Sequence, residues 1–201
     1  MTNDLRQTPE LDFLVQVDRL KEVVRQSKIA SGARRENSAE HSWHLAIFAL
    51  VFSDQANEKV DVGRVVELLL VHDIVEIDAG DMPIHGVDVD LSAKARAEQR
   101  AAERIFGLLP SKAETRFREL WREFEEGQTS EAKFARALDR FQPLLLNVVA
   151  GGGTWSDNKV SQSQVIERYG PTIDTGSSSL WTIAQALISS HFVHPPDDTR
   201  G

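Results

Sequence analysis

The sequence contains no cysteine. A chain without cysteine forms neither disulfide bonds nor thiolate ligands for a metal ion, and it has no cysteine nucleophile. A metal site would have to use histidine and carboxylate side chains, and the chain has 6 histidines and 31 acidic residues. Histidines with acidic neighbours are therefore the first candidates for a functional site.

Positive charge is also scarce, with 23 lysines and arginines and a net charge of -8. Nucleic-acid binding depends on a basic face, so we expect no nucleic-acid partner. The longest uncharged stretch, residues 175–196, is rich in Thr, Ser, Gln and Gly and predicts no membrane span. The first residues lack the basic region and apolar stretch of a signal peptide, so we expect the protein to be cytoplasmic.

The sequence has a clear helical periodicity of its apolar residues. Its 41% hydrophobic and 27% charged residues are typical of a soluble globular protein, and we expect one domain over residues 1–201 with a core of about 14–194. Apolar residues recur at helical spacing without convincing strand alternation, which predicts an all-α bundle of roughly eight helices. We expect Pro143 to bend the sixth helix, and Gly170 and Pro171 to end the seventh. The predicted helices cover residues 9–25, 37–54, 62–77, 91–106, 111–125, 130–146, 161–170 and 177–192.

A His–Asp pair stands near the end of the third predicted helix. His72 and Asp73 lie among apolar residues, where an unpaired carboxylate would be costly. The pair alone leaves metal ligation and two structural roles open. Asp73 would be held by a buried arginine, or His72 would be a core histidine bonded to a backbone carbonyl.

Asp139 favours metal ligation over the two structural roles. It stands at the edge of another apolar helical stretch, and His41 lies in the first turns of the second predicted helix. Together with the His–Asp pair they would form a set of two histidines and two aspartates, which suits one divalent ion of Mn, Co, Fe, Ni, Zn or Mg. His44, three residues after His41, is expected to be a packing residue.

Four short motifs occur in order along the chain: AEHS at 39–42, HDIVE at 72–76, GD at 80–81 and ALDRFQPLLLN at 137–147. In this order and at these separations the chain resembles the HD-domain metal-dependent phosphohydrolases. More narrowly, it is similar to the branch that contains the bacterial 5'-deoxynucleotidases and their eukaryotic HD-domain relatives. The resemblance extends from about Leu14 to His194.

The resemblance implies a role for seven residues. It implies that one divalent metal ion is bound by His41, His72, Asp73 and Asp139. Glu76 is implied to serve the catalytic water, and Asp81 to contact the sugar or orient water. Arg25, at the end of the first predicted helix, is implied to bind phosphate. Close deoxynucleotidases can carry an aromatic residue after that arginine, whereas this chain has Gln26, so the preferred base and sugar stay open.

The resemblance leads us to expect a metal-dependent phosphohydrolase that removes the 5'-phosphate from (deoxy)nucleoside monophosphates by a metal-activated water. The same resemblance favours a homodimer. A phosphodiesterase or nucleoside-triphosphate hydrolase on the same fold is the alternative within the enzyme class. A metal- or nucleotide-binding regulatory protein without turnover is the alternative outside it, and the presence of Glu76 and Asp81 argues against that one.

Overall fold

The computed structural model describes residues 8–81 and 90–193. Residues 1–7, 82–89 and 194–201 lie outside these ranges, and they include residue 194, where the predicted core ends. Within them the chain forms ten α-helices and one two-stranded sheet, and eight of the helices have ten or more residues. The predicted all-α class and the number of main helices are therefore confirmed. The helices are α1 (Pro9–Asp18), α2 (Ser38–Phe52), α3 (Val62–Val71), α4 (Glu76–Ala79), α5 (Leu91–Phe106), α6 (Ser111–Glu126), α7 (Ser130–Val149), α8 (Gly153–Asp157), α9 (Gln162–Gly176) and α10 (Ser178–Val193).

A β-hairpin replaces the end of the first predicted helix. α1 ends at Asp18, a 3₁₀ turn covers Arg19–Glu22, and β1 (Val24–Lys28) then pairs antiparallel with β2 (Arg35–Asn37). The prediction of a helix to residue 25 was wrong because VRQSK is short and polar and shows no alternation that would identify a strand. The hairpin brings Arg25 close to the start of α2.

Asn37 ends β2 and begins α2. Its side chain accepts a hydrogen bond from the Glu40 backbone N–H, and the Glu40 side chain accepts one from the Asn37 backbone N–H. This is the capping box that the sequence predicts. It fixes the first turn of α2, which carries His41.

The third predicted helix is interrupted at the His–Asp pair. α3 ends at Val71, a 3₁₀ turn covers His72–Val75, and α4 begins at Glu76. The four residues of the turn are all buried. The predicted helix over residues 62–77 is therefore three consecutive segments, and the tight turn carries the two polar side chains into the interior.

The core is organised around α7, which packs against α2, α3, α6, α9 and α10. α9 approaches α7 very closely, since a Cβ on Gly176 would lie 2.2 Å from the Lys133 carbonyl oxygen. Gly170 likewise leaves room for the Trp181 ring. These glycines serve close packing, which explains why the helix continues through Pro171 to Gly176 although the sequence predicts that it ends earlier.

α7 is longer than predicted: it continues past Pro143 to Val149, three residues beyond its predicted end. Among the described residues, no helix combines the length and the apolar character needed to cross a membrane.

Candidate metal centre

The four predicted ligands come from three segments that meet in the interior. His41 lies on α2, His72 and Asp73 on the 3₁₀ turn after α3, and Asp139 on α7. His41 Nε2 is 2.9 Å from Asp139 Oδ1, and His72 Nε2 is 2.9 Å from Asp73 Oδ1. His72 Nε2 lies 3.8 Å from Asp139 Oδ1, and His41 Nε2 lies 3.9 Å from Asp73 Oδ2. The structure therefore brings all four side chains together.

The donor atoms of this cluster suit a divalent cation. One donor atom each from His41, His72 and Asp73 lies within 4.8 Å of the other two, and all three residues are buried. His72 Nδ1 donates to the Leu69 carbonyl oxygen at 2.9 Å. His72 Nε2 is buried and faces Asp73 Oδ1 at 2.9 Å and Asp139 Oδ1 at 3.8 Å. A ring nitrogen that faces carboxylates in this way can share an ion with them once it loses its proton, and two imidazoles with two carboxylates fit borderline and hard divalent ions.

The pKa shifts in the cluster show that its carboxylates stabilise positive charge close to them. Burial lowers the pKa of His72, but the carboxylates of Asp73 and Asp139 outweigh it and hold that pKa well above its ordinary value. Burial raises the pKa of Asp73, but the His72 charge and hydrogen bond, with Arg25, bring it down to about 2. The pKa of Asp139 is also well below its ordinary value, because hydrogen bonds from His41 and His72 outweigh burial. The two carboxylates are therefore ionised and surrounded by cationic partners, and a divalent cation would supply the same positive charge.

Arg25 lies beside this cluster on β1, not at a helix end as predicted. Its Nη1 atom is 3.1 Å from Asp73 Oδ2 and 3.5 Å from Asp81 Oδ1, and its Nε atom is 3.6 Å from Glu36 Oε1. Burial opposes the charge, yet the nearby carboxylates raise the pKa of Arg25 above its usual value, in the order Asp73, Asp81, Glu76 and Asp139. The side chain is 10% exposed. Arg25 is therefore a permanent cation held at the edge of the His–Asp cluster.

Both structural roles that the sequence left open for the His–Asp pair are present. Asp73 does contact a buried arginine, Arg25, and His72 does donate to a backbone carbonyl. Neither contact competes with metal ligation. The backbone bond uses His72 Nδ1 and leaves Nε2, and the arginine contacts Oδ2 of Asp73 while Oδ1 faces the imidazole.

Glu76 and Asp81 also lie near Arg25, because the charges of both raise the pKa of Arg25. Glu76 begins α4, and its Oε2 atom accepts a hydrogen bond of 2.7 Å from Ser38 Oγ. Burial, followed by the charge of Asp73, raises the pKa of Glu76 to about 8. Burial also raises the pKa of Asp81, although its contact with Arg25 opposes the shift. Two acidic groups thus stand beside the cluster in addition to the four candidate ligands.

Three polar residues of the site were missed by the sequence analysis. Ser38, Glu36 and Gln142 are fully or almost fully buried, and each hydrogen-bonds to a predicted site residue or to another of the three. Gln142 carried a usable signal, because it stands three residues after Asp139 in an otherwise apolar helical stretch. Ser38 and Glu36 flank the N-cap Asn37, and their positions there suggest surface residues.

The family is decided by a comparison with known protein families. The model of the HD domain matches residues 17–181. The chain belongs to the HD-domain family. This match includes all seven predicted site residues.

Individual relatives agree with the family. The chain is similar to the human 5'-deoxynucleotidase HDDC2, with 33% identity over 136 residues, which are 67% of this chain and 65% of the human protein. The bovine 5'-deoxynucleotidase HDDC2 is 34% identical over 136 residues, 67% of this chain and 64% of that protein. The match thus spans slightly less than two thirds of the length of these relatives.

A solved structure matches more of the chain. It is the crystal structure of a protein named as a predicted metal-dependent phosphohydrolase from Magnetospirillum magnetotacticum. It is 43% identical, with a TM-score of 0.85, and the match covers 92% of this chain and 94% of that one.

Proposed function

We propose that this HD-domain protein is a metal-dependent phosphohydrolase that removes the 5'-phosphate from nucleoside monophosphates, with deoxynucleotides as the first candidates. The observation that carries the proposal is the buried set of two histidines and two aspartates with a buried arginine at its edge. The names of the human and bovine relatives, and of the Magnetospirillum structure, support the same reaction class.

In this proposal one divalent cation is held by His41, His72, Asp73 and Asp139. When bound, the cation would neutralise a phosphate oxygen and make a water molecule more acidic. The metal stays open among Mn, Co, Fe, Ni, Zn and Mg, because the mixed nitrogen and oxygen donors accept all of them.

Arg25 would bind the phosphate of the substrate. A guanidinium offers two parallel N–H groups to a phosphate, and Arg25 already keeps its charge in a buried position beside the candidate ligands. The three carboxylates around it hold the side chain in place before substrate arrives.

Glu76 would accept the proton of the attacking water. Water forms a bond to phosphorus, the bond from phosphorus to the 5'-oxygen breaks, and the proton held by Glu76 is available to the leaving oxygen, which gives a nucleoside and inorganic phosphate. A pKa of about 8 leaves part of the Glu76 carboxyl ionised near neutral pH, and a divalent cation nearby would lower that pKa and increase the ionised fraction that can accept a proton. Asp81, paired with Arg25, would orient the sugar or the water.

A phosphate-release screen tests the proposal. Purified protein is incubated with nucleoside mono-, di-, tri- and cyclic phosphates, in ribose and deoxyribose series, with each of the six metals. We expect release from the monophosphates, and an Asp139→Asn variant serves as the inactive control. Release from cyclic substrates or triphosphates instead would identify a phosphodiesterase or triphosphate hydrolase. Nucleotide binding without release would identify a regulatory protein. The ribose and deoxyribose series also shows which sugar is accepted by a chain that has Gln26 where close deoxynucleotidases can carry an aromatic residue.

The proposal includes a homodimer. Four apolar side chains at helical spacing on α2 are exposed to solvent: Trp43, Ile47, Leu50 and Val51. A two-fold contact would bury this stripe against its own copy. Light scattering tests this: Ile47→Glu should yield monomers while Leu70→Glu, an exposed apolar position on α3, leaves the mass of the assembly unchanged. A wild-type monomer would reject the homodimer.

The proposal also includes the number of domains and the location of the protein in the cell. We propose that residues 1–201 form one domain, which limited proteolysis would show as a single resistant fragment of about residues 14–194. We propose that the protein works in the cytoplasm, where nucleoside monophosphates are found, and cell fractionation with an antibody to the native chain tests this.

A further inference from the structure

A buried chain of hydrogen bonds leads from the cluster to the hairpin. His41 Nδ1 lies 3.1 Å from Gln142 Oε1, and Gln142 Nε2 donates to Glu36 Oε2 at 3.1 Å. Gln142 Nε2 also lies 3.2 Å from His44 Nδ1. Gln142 and His41 are completely buried, and Glu36 is 2% exposed. Gln142, His41 and Glu36 are therefore almost or completely inaccessible to solvent, and their polar atoms bond to one another.

The partners determine which way the Gln142 amide points. Glu36 offers a carboxylate oxygen, which accepts hydrogen bonds, so the NH₂ group of Gln142 must face it. Burial lowers the pKa of His44, which keeps this ring neutral and its Nδ1 atom able to accept the second N–H of the amide. The amide oxygen is left for His41, and it can only accept. His41 Nδ1 therefore carries a proton, and its Nε2 atom is the one directed at Asp139.

The two histidines of the cluster are oriented in different ways. His72 donates from Nδ1 to the carbonyl oxygen of Leu69, three residues earlier in the same segment. His41 Nδ1 instead faces two side chains, Gln142 Oε1 at 3.1 Å, which is 101 residues away in sequence, and Glu36 Oε1 at the longer distance of 3.5 Å. Gln142 stands on α7 three residues after Asp139, so the helix that supplies one candidate ligand also orients another. Glu36 extends the chain to Arg25, whose Nε atom is 3.6 Å from Glu36 Oε1.

We propose that Gln142, held by Glu36, is the positioning residue that fixes the ring of His41 with Nε2 directed at the metal. This inference rests on the proposed function, because it needs a metal at the cluster. Groups that hold the second nitrogen of a ligating histidine typically contribute 10- to 100-fold to metal affinity.

A Gln142→Met variant tests the role. Methionine keeps the length and the buried volume of the side chain but offers no acceptor to His41. The matched control is Asn147→Leu, because Asn147 is also a buried amide on α7, and its oxygen accepts from Thr154 instead. The affinity for Zn²⁺ is measured by competition with a chromophoric chelator, and thermal unfolding is recorded without metal.

The two variants should separate folding from metal binding. Both lower the unfolding temperature of the metal-free protein, since each removes buried hydrogen bonds. Only Gln142→Met should weaken Zn²⁺ binding, by roughly 10- to 100-fold. Equal Zn²⁺ affinity in wild type and folded Gln142→Met would overturn the positioning role and leave the proposed function intact. A wild-type protein that binds no Zn²⁺ or any other of the six metals would overturn both.

Two more variants distinguish loss of the hydrogen-bond acceptor from misfolding. Gln142→Asn keeps an amide but withdraws its oxygen from His41 by one methylene group, so it should also lose about 10-fold in affinity. The double variant Glu36→Gln with Gln142→Glu exchanges the amide and the carboxylate and restores an acceptor for His41. Its Zn²⁺ affinity should lie within about 3-fold of wild type, since the acceptor rather than the amide is what His41 needs. Full affinity in Gln142→Asn, or a loss of more than 10-fold in the double variant, would contradict the inference.

Discussion

Removing the charge of Arg25 should destabilise the metal-free protein and also lower the catalytic activity. Its Nη1 atom is 3.1 Å from Asp73 Oδ2, and at an effective dielectric constant of 20 this one pair contributes about 5 kcal/mol of attraction. Arg25→Met leaves Asp73, Asp81 and Glu36 without their common cation. Breaking a buried pair from one side costs about 3–5 kcal/mol in unfolding free energy. In a chain of this size the loss corresponds to a fall of roughly 6–20 °C in Tm.

Bound metal should offset most of this loss of stability. A divalent cation at the cluster compensates the carboxylates that Arg25 no longer neutralises, so saturating Zn²⁺ should raise the Tm of Arg25→Met by more than it raises that of wild type. The kcat/KM of the metal-loaded variant should nevertheless fall by about 100-fold or more, because the phosphate loses its guanidinium partner. The assay is therefore a set of four melting curves, each protein with and without Zn²⁺, followed by phosphate release.

The matched control is Arg64→Met. Arg64 pairs with Glu123 between α3 and α6, away from the cluster, and its side chain is 33% exposed. Such a pair is worth about 1 kcal/mol or less, so its loss should lower Tm by about 4 °C at most. The reasoning is refuted if the metal-free Arg25→Met protein is as stable as Arg64→Met. Unchanged kcat/KM in Arg25→Lys would separately reject the phosphate role, since lysine keeps the charge without the planar fork.

Three other variants test the remaining roles. Asp139→Ala should lose most of its bound metal in elemental analysis, whereas Asp157→Ala, at a surface contact with Lys28, should keep it; equal content in both would reject Asp139 as a ligand. Glu76→Gln should keep its metal and lower kcat by roughly 100-fold or more, and loss of metal would show instead that Glu76 is a ligand. Ser38→Ala removes the hydroxyl that donates to Glu76, so kcat should fall about 10-fold with unchanged metal content, and a wild-type kcat would show that this hydrogen bond does not position Glu76.

The helices of this fold were predictable because their apolar periodicity is strong and because Asn37 and Glu40 form a recognisable capping box. The errors occurred where tertiary contacts outweigh local signals. VRQSK forms a strand only because REN pairs with it. Gly170 and Pro171 suggest a helix end, yet the close approach of α9 to α10 and α7 requires the glycines and keeps the helix intact.

The candidate ligands were predictable for a different reason. An ionisable residue such as Asp73 in an apolar stretch demands a partner, and short motifs in a fixed order name the others. The buried residues behind the candidate ligands have no comparable signal in the sequence. Glu36 and Ser38 belong to a polar segment, and only the fold shows that this segment is buried against α7 and α4. The location of Arg25 on a strand also depends on the hairpin, which the pattern does not predict.

The contact between His41 and Asp139 joins two residues that are 98 positions apart in the sequence. Closing a loop of that length costs chain entropy, which is repaid only when the intervening helices have packed. The donor set therefore exists only after α2 and α7 have docked, and we expect a newly synthesised chain to acquire its cation late, as a product of folding rather than as a template for it. Once bound, the ion would tie the first quarter of the chain to its second half, so that neither helix can open locally without releasing it.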